Sequence, residues 1–414
     1  LDERTRAVVP STSANYNRSR SELGAVGEVL MSEGLMFGLT GSPRDLVRFG
    51  VLDAIEDENG RTVEERRFKA DVSSIRQKFQ TFYWRLLRKA MVEDPLVEPV
   101  ALAESLKIRV ISKGPPLTYT ALKPLQKFMW KVLKDHPCFE LIGRPVDSEY
   151  VQRRLGKRLK EGEYFLSGDY SAATDEISSW ASEQVVDSIS EICGLSVMEK
   201  QLFLRSLTGH RFREGPQRAG QLMGSITSFP VLCLVNAAVS RFSAEQAYLK
   251  RFSLASCPLM INGDDVGMKL PRSGKGIWSA IASMVGLKES LGKVYFSRAF
   301  ININSANFSY YPDGVVETSD VLMQKRRRLE PFGFARTMYF KQIAYVNMGL
   351  LKGMTRSGGL FTVADIDEYG SFGSRARYLA DHSPAFMRDS VLSLFFLRNL
   401  DRMKKIRVPW FVDE

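Results

Sequence analysis

Histidine and cysteine are scarce in this 414-residue chain, and both shortages narrow its chemistry. Three histidines (His136, His210, His382) and four cysteines (Cys138, Cys193, Cys233, Cys257) lie far apart and form no CxxC pair. A zinc site draws on clustered nitrogen and sulfur ligands and a disulfide framework on many paired cysteines, so neither is expected. Sparse cysteine also fits a reducing compartment. Long apolar runs are missing too. The stretch VLSLFFL at 391–397 is core-length, well short of the ~20 residues that span a bilayer. No internal repeat and no low-complexity tract is present, which sets repeat architectures aside. The chain begins at Leu1 without a methionine or a signal-like segment, as expected of a processed product or an excerpt of something longer.

What is present is globular: 44% hydrophobic and 25% charged residues, at a length that suits two or three domains or one multi-lobed one. The net charge of +11 fits a polyanionic partner, RNA or DNA before a membrane. A soluble basic protein with no such partner is the alternative.

Periodicity predicts a basic amphipathic helix over about 63–97, a strand at LKIRVISKG (106–114) ended by Gly-Pro-Pro, and a second basic helix at ALKPLQKFMWKVLK (121–134). EYFLSGDYSAATDE (163–176) begins as a strand and breaks at small residues; a helix follows, with Ile177, Trp180, Ala181, Val185, Ile189 and Ile192 at helical spacing. GQLMGSITSFPVLCLVNAAVSRF (220–242) is a small-residue loop running into an apolar helix. CPLMINGDDVGMKL (257–270) is two short apolar runs joined at Gly263-Asp264, the pattern of a tight hairpin. A helix at KGIWSAIASMVGLKES and one or two strands across 293–311 come next. Beyond Asp313 the pattern reads as mostly helical, with a dense KRRR at 325–328 that is either a solvated face or a phosphate track. Alternating strands, hairpins and helices describe an α+β domain whose antiparallel sheet carries helices on one face. In it Asp169 ends one strand and Asp264 sits at the tip of a hairpin.

Each candidate residue has a bland reading beside a chemical one. Gly-Asp-Asp arises by composition alone in about one chain in ten of this length, and Gly-Asp is a common turn pair. Asp169 alone reads as a turn residue or helix N-cap. Asn236 alone reads as a polar residue bridging within an apolar helix, and Gly224, Ser225, Thr227 and Ser228 as turn and capping residues. Lys107, Arg109 and Lys113, spaced by two and four, share one face of their strand, as a triphosphate clamp or as a solvated basic edge.

Their order is more specific than any one of them. SGDYSAATDE, then GSITSFPVLCLVN, then NGDDVG, with basic KIRVISKGPP upstream, resembles the motif series of viral RNA-directed RNA polymerases: motif A at 169–175, B at 224–236, C at 263–265 and F at 107–114. The wording is similar to the branch holding leviviruses, mitoviruses, narnaviruses and ourmia-like viruses. ALKPLQKFMW and GLKESLGKVYFSRAFININS resemble ourmia-like polymerases in particular. The likeness covers roughly residues 100–310.

That resemblance implies a right-hand polymerase with an antiparallel palm sheet backed by helices. It divides the chain into an N-terminal extension and fingers (1–162, with motif F), a palm (163–310, with a fingers insertion near 178–220) and a thumb (311–414). It implies two Mg²⁺ ions, with Mn²⁺ as a substitute, on Asp169, Asp264 and Asp265. Lys107, Arg109 and Lys113 would clamp the triphosphate. Asp175 and Asn236 would meet the ribose 2′-OH, with Ser225 and Thr227 nearby. Gly224 and Ser225 would let backbone approach template RNA, and Lys293, with Lys288 as rival, would protonate pyrophosphate. Asn262, before Gly263, departs from the small or apolar residue many relatives carry. RNA template and product and nucleoside triphosphates are the implied partners; host or viral subunits are left open. Host cytoplasm is the implied location, the mitochondrion the alternative. An RNA-binding protein with a decayed site, or a reverse transcriptase, are the competing readings.

Overall fold

The computed structural model describes residues 17, 24–25, 83–104, 107–325, 328–348, 350–352 and 372–403. In chain order the main elements are a helix at 83–92 (α1), β1 (Glu98–Glu104), β2 (Lys107–Lys113), α2 (Pro116–Asp135), α3 (Ser148–Leu155), β3 (Glu163–Gly168), α4 (Ser179–Cys193), α5 (Val197–Thr208) and α6 (Ser228–Tyr248). They continue with β4 (Leu259–Asn262), β5 (Asp265–Pro271), α7 (Gly274–Met284), β6 (Tyr295–Ser297), β7 (Phe300–Ile303), β8 (Ala306–Lys325), β9 (Arg328–Gln342), α8 (Phe372–His382) and α9 (Arg388–Met403). The class is α+β, as the sequence predicts.

The central sheet is antiparallel throughout, in the order β4-β5-β3-β6. Because side chains alternate across a strand, each strand feeds two cores. Leu166, Leu259, Ile261, Val266, Met268 and Leu270 face the helices and pack with Val231, Val235 and Trp278. Phe165 and Met260 face the other way and pack with Val151 and Leu155 of α3 and with Ile301, Ile303 and Phe340. The sheet is therefore covered on both sides, by α6 and α7 on one and by α3 and the β7-β8-β9 sheet on the other. A single helical layer was the sequence expectation; the second layer is built by α3, by strands within the expected 293–311 segment and by Phe340 of β9, a strand where helix was expected.

That misreading concerns the region beyond Asp313. Instead of helix, β8 and β9 form a long antiparallel hairpin, paired from Phe308–Gln342 to Lys325–Arg328 with a shift of register between Tyr310 and Val315. The segment is rich in Val, Thr, Phe and Tyr, which fit a pleated surface, and β-pairing to a partner strand overrides local helical spacing. β8 also runs across the boundary expected at residue 310. The basic run reaches the hairpin tip, with Lys325 paired to Arg328; residues 326–327 lie outside the described residues. So does most of the predicted helix before residue 83, whose described part ends at 92, short of Val97. α2 starts five residues earlier than predicted, with Pro116 at its first turn, where a missing N–H costs nothing.

Trp278 is fully buried and stacks on Tyr170 with ring centroids 5.2 Å apart, joining α7 to the end of β3. Trp278→Ala should lower stability by about 3–5 kcal/mol, the usual cost of deleting a core aromatic, read as a lower midpoint in urea unfolding.

Candidate active site

Gly263 and Asp264 form the two-residue turn between β4 and β5, since Asn262 and Asp265 are still paired. Gly263 adopts φ +67°, a conformation that glycine takes without strain. Asp169 follows the last residue of β3, and the register of β3 against β5 (Gly168 opposite Val266) carries it to the same end of the sheet as the turn.

Helix α6 fixes the turn from beneath. The amide of Asn236, fully buried, donates to the carbonyls of Gly263 (3.0 Å) and Asp264 (3.2 Å). Its carbonyl oxygen accepts from the Tyr170 hydroxyl (3.0 Å) and from Ser240 (3.2 Å). Three residues earlier on the helix, Cys233 Sγ accepts from the Gly263 N–H at 3.3 Å. Tyr170 neighbours Asp169, so one amide bonds to the segment carrying Asp169 and to the turn carrying Asp264. The backbone of Asp169 is held in turn by the N–H of Ser290 (2.9 Å), and that of Ser171 donates to Lys288 (2.9 Å).

The two carboxylates act on each other electrostatically. Asp264 has its carboxyl pushed above the usual carboxylate range, first by burial and then by the Asp169 carboxylate; its own backbone N–H, Arg109 and Lys293 act in the opposite sense. Lys293 Nζ sits 3.2 Å from Asp169 Oδ2 while remaining largely exposed. The rival Lys288 instead pairs with Glu176 at 2.7 Å. Of the two lysines, Lys293 is the one placed at the carboxylate pair.

Two oxygen-donor carboxylates held together against their mutual repulsion suit Mg²⁺, which takes a few carboxylates and completes its shell from water and substrate. Asp265 begins β5, so strand geometry rather than the turn sets its direction. Among the described residues no three His, Cys, Asp or Glu side chains gather as a metal-ligand group. The pair that fits a cation is Asp169 with Asp264.

The basic strand is brought to the same place by the small-residue loop. Ser112 N–H donates to the Met223 carbonyl at 2.7 Å, and a Cβ on Gly224 (φ +104°) would lie 2.5 Å from the Ser112 carbonyl oxygen. Gly224 thus admits the backbone of β2 at this position. Arg109 Nη1 lies 3.5 Å from Met223 Sδ, and its charge is felt at Asp264. Lys113 pairs with Glu98 across the β1-β2 ladder at 3.8 Å. Lys107 heads β2, with its side chain outside what is described.

Other predicted contacts turn inward. Thr227, with no exposed surface, shares a hydrogen bond with Ser206 (2.8 Å), and Ser225, buried, donates to the Ser206 carbonyl. Ser228 bonds Gln221, which bonds Ser182. Ser225, Thr227 and Asn236, the residues expected beside the nucleotide, thus bond to the scaffold here, and so does Ser228. Asp175 is exposed in the short helix Ala173–Glu176, its carboxyl raised by partial burial and by Glu176. Sequence reasoning passed over Tyr170 and Cys233, although both stand within the quoted motifs.

By sequence the chain is similar to a viral RNA-dependent RNA polymerase. It is 32% identical over 348 residues to the RNA-dependent RNA polymerase of Ourmia melon virus (isolate Melon/Iran/VE9), a match spanning 77% of this chain and 37% of that protein. The chain therefore spans little more than a third of that relative's length. No protein-family model matches it. A crystal structure of the RNA-dependent RNA polymerase of a human picobirnavirus aligns over 76% of this chain and 60% of the other, with a TM-score of 0.49 and 12% identity.

Two outcomes follow from the geometry. Asn236→Leu should leave the Tyr170 hydroxyl and the turn carbonyls without their partner, costing about 1–3 kcal/mol, seen as a lower melting temperature. Asp264→Asn should do the reverse. The raised carboxyl means that the native state holds its proton more tightly, so ionisation of Asp264 costs stability as pH rises through the native value. In chelator-treated buffer the Asn variant should melt above the parent at neutral pH. That advantage should vanish at pH below the ordinary carboxylate range, where both side chains are neutral.

Proposed function

We propose that this chain carries the catalytic centre of an RNA-directed RNA polymerase that replicates a positive-strand viral genome in the host cytoplasm. The observation that carries the reading is the convergence of Asp169, Asp264, Lys293 and Arg109 at one end of one sheet, from four segments that stand in polymerase order. The relationship to the ourmia-like enzyme supports it. On this reading the β4-β5-β3-β6 sheet with α6 and α7 is the palm, and β1-β2 with α2 belongs to the fingers.

The reaction joins the 3′-OH of a growing strand to the α-phosphate of a nucleoside triphosphate and releases pyrophosphate. Such transfer is mainly positioning and charge neutralisation. Asp169 and Asp264 would hold Mg²⁺, as a pair of ions, which when bound supplies Lewis-acid activation of the hydroxyl and neutralises phosphate charge. The chain's own part begins with the Asn236 bonds, which keep both carboxylates aimed at one point. Arg109, a planar fork, would grip the triphosphate. Lys293, exposed and already at Asp169, is free to move to the leaving pyrophosphate and deliver a proton. Asp175, exposed beside the motif, would accept from the ribose 2′-OH, the group that separates ribonucleotides from deoxyribonucleotides.

The test is incorporation of labelled UTP on a defined RNA template with Mg²⁺ or Mn²⁺. Asp264→Ala should lose well over ~10²–10³-fold, more than the loss of a single transition-state donor. Retained incorporation by that variant would sink the assignment, and a preference for dNTPs would move it to reverse transcription.

A further inference from the structure

Helix α2 turns two unlike faces outward and inward. Ala121, Leu122, Leu125, Met129 and Leu133 are buried in the main core. On the other side stand Lys123, Lys127, Lys131 and Lys134, which at 3.6 residues per turn fall within an arc of about 80° and a length of about 16 Å. Among the described residues none of these four lysines has a carboxylate partner. Lys127 and Lys131 are exposed, and Lys123 and Lys134 half-buried. Burial, and then the like charge of Lys127, holds the Lys123 ammonium below its ordinary range. Four cations on one stripe face a single nearby carboxylate, Asp135, with which none of them forms an ion pair, so the surface keeps a strong excess of positive charge.

The stripe also has a direction. Beside the lysines, Trp130 is half-buried and packs on Phe229 with ring centroids 5.0 Å apart. Phe229 in turn lies 3.2 Å from where a Cβ on Gly263 would stand. One aromatic contact therefore links the lysine face to the turn that carries Asp264. Gln126, Lys127, Trp130, Lys131, Lys134 and Asp135 line a shallow cleft along it.

We propose that this face of α2 is a sequence-independent track for the phosphate backbone of single-stranded RNA, and that the strand held there is the template close to the active site. Lysines are point charges without the planar fork that reads bases in pairs of hydrogen bonds, so the track binds phosphate and ignores sequence. A single strand fits better than a duplex because Trp130 offers a ring on which an unpaired base can stack. The word template rests on the polymerase reading; the phosphate track does not.

The experiment compares the full chain with K127Q/K131Q/K134Q and with K127R/K131R/K134R in binding a labelled single-stranded oligoribonucleotide over a range of salt. Each neutralised phosphate contact on a single strand contributes about 0.7 to the slope of log K against log salt. The glutamine variant should bind at least about tenfold more weakly and lose about 2 from that slope, and the arginine variant should keep both. An unchanged affinity and slope in the glutamine variant, or a loss confined to duplex RNA, overturns the proposal. A chain that binds through this stripe yet incorporates no nucleotide would retain the track and remove the polymerase reading, so the two failures are distinct.

Discussion

Two carboxylates repel, and this fold keeps two of them together with one buried amide. Asn236 donates to both carbonyls of the Gly263-Asp264 turn and accepts from Tyr170, the neighbour of Asp169. Remove that amide and the turn and the end of β3 lose their common anchor. The rest of the site hangs from it. Trp278 braces Tyr170 from α7, Cys233 holds the Gly263 N–H, and the backbone of 288–290 pairs with that of 169–171. The upward push on the Asp264 carboxyl is the cost of the arrangement, and a centre that stores like charge is suited to receive a cation.

Much of the small-residue loop before α6 builds the scaffold. Gly224 gives room to the Ser112 carbonyl, Ser225 and Thr227 bond to Ser206, and Ser228 continues through Gln221 to Ser182. The effect is to tie β2 to α6 and so to bring Arg109 within electrostatic reach of Asp264. The candidate site groups come from strand ends and turns, while the helix interior supplies rigidity. Such a division keeps the two carboxylates on precisely held backbone without placing mobile side chains beneath them.

The parts legible in the sequence were those with strong local chemistry. Apolar runs around Gly263-Asp264 specify a hairpin because alternation and a glycine at positive φ act within a few residues. The helices at 116–135, 179–193, 228–248 and 274–284 follow from spacing. The β8–β9 hairpin was lost because its pairing partner, not its own periodicity, decides its state. Asn236 shows the same limit at the level of one side chain. A polar residue on an apolar helix has the same spacing whether it aims at a ligand or at a neighbouring turn, and here it aims at the turn. Lys293 and Lys288 could not be separated by position along the chain; the backbone pairing at 288–290 directs one to Asp169 and the other to Glu176.

The central claim is that Asp169 and Asp264 together form a divalent-cation centre. Anomalous diffraction from crystals grown with Mn²⁺ and a non-hydrolysable nucleoside triphosphate tests it most directly. The account predicts manganese bound by both carboxylates, with Lys293 displaced from Asp169. Manganese that leaves this pair empty, or that binds only one of the two aspartates, would contradict it.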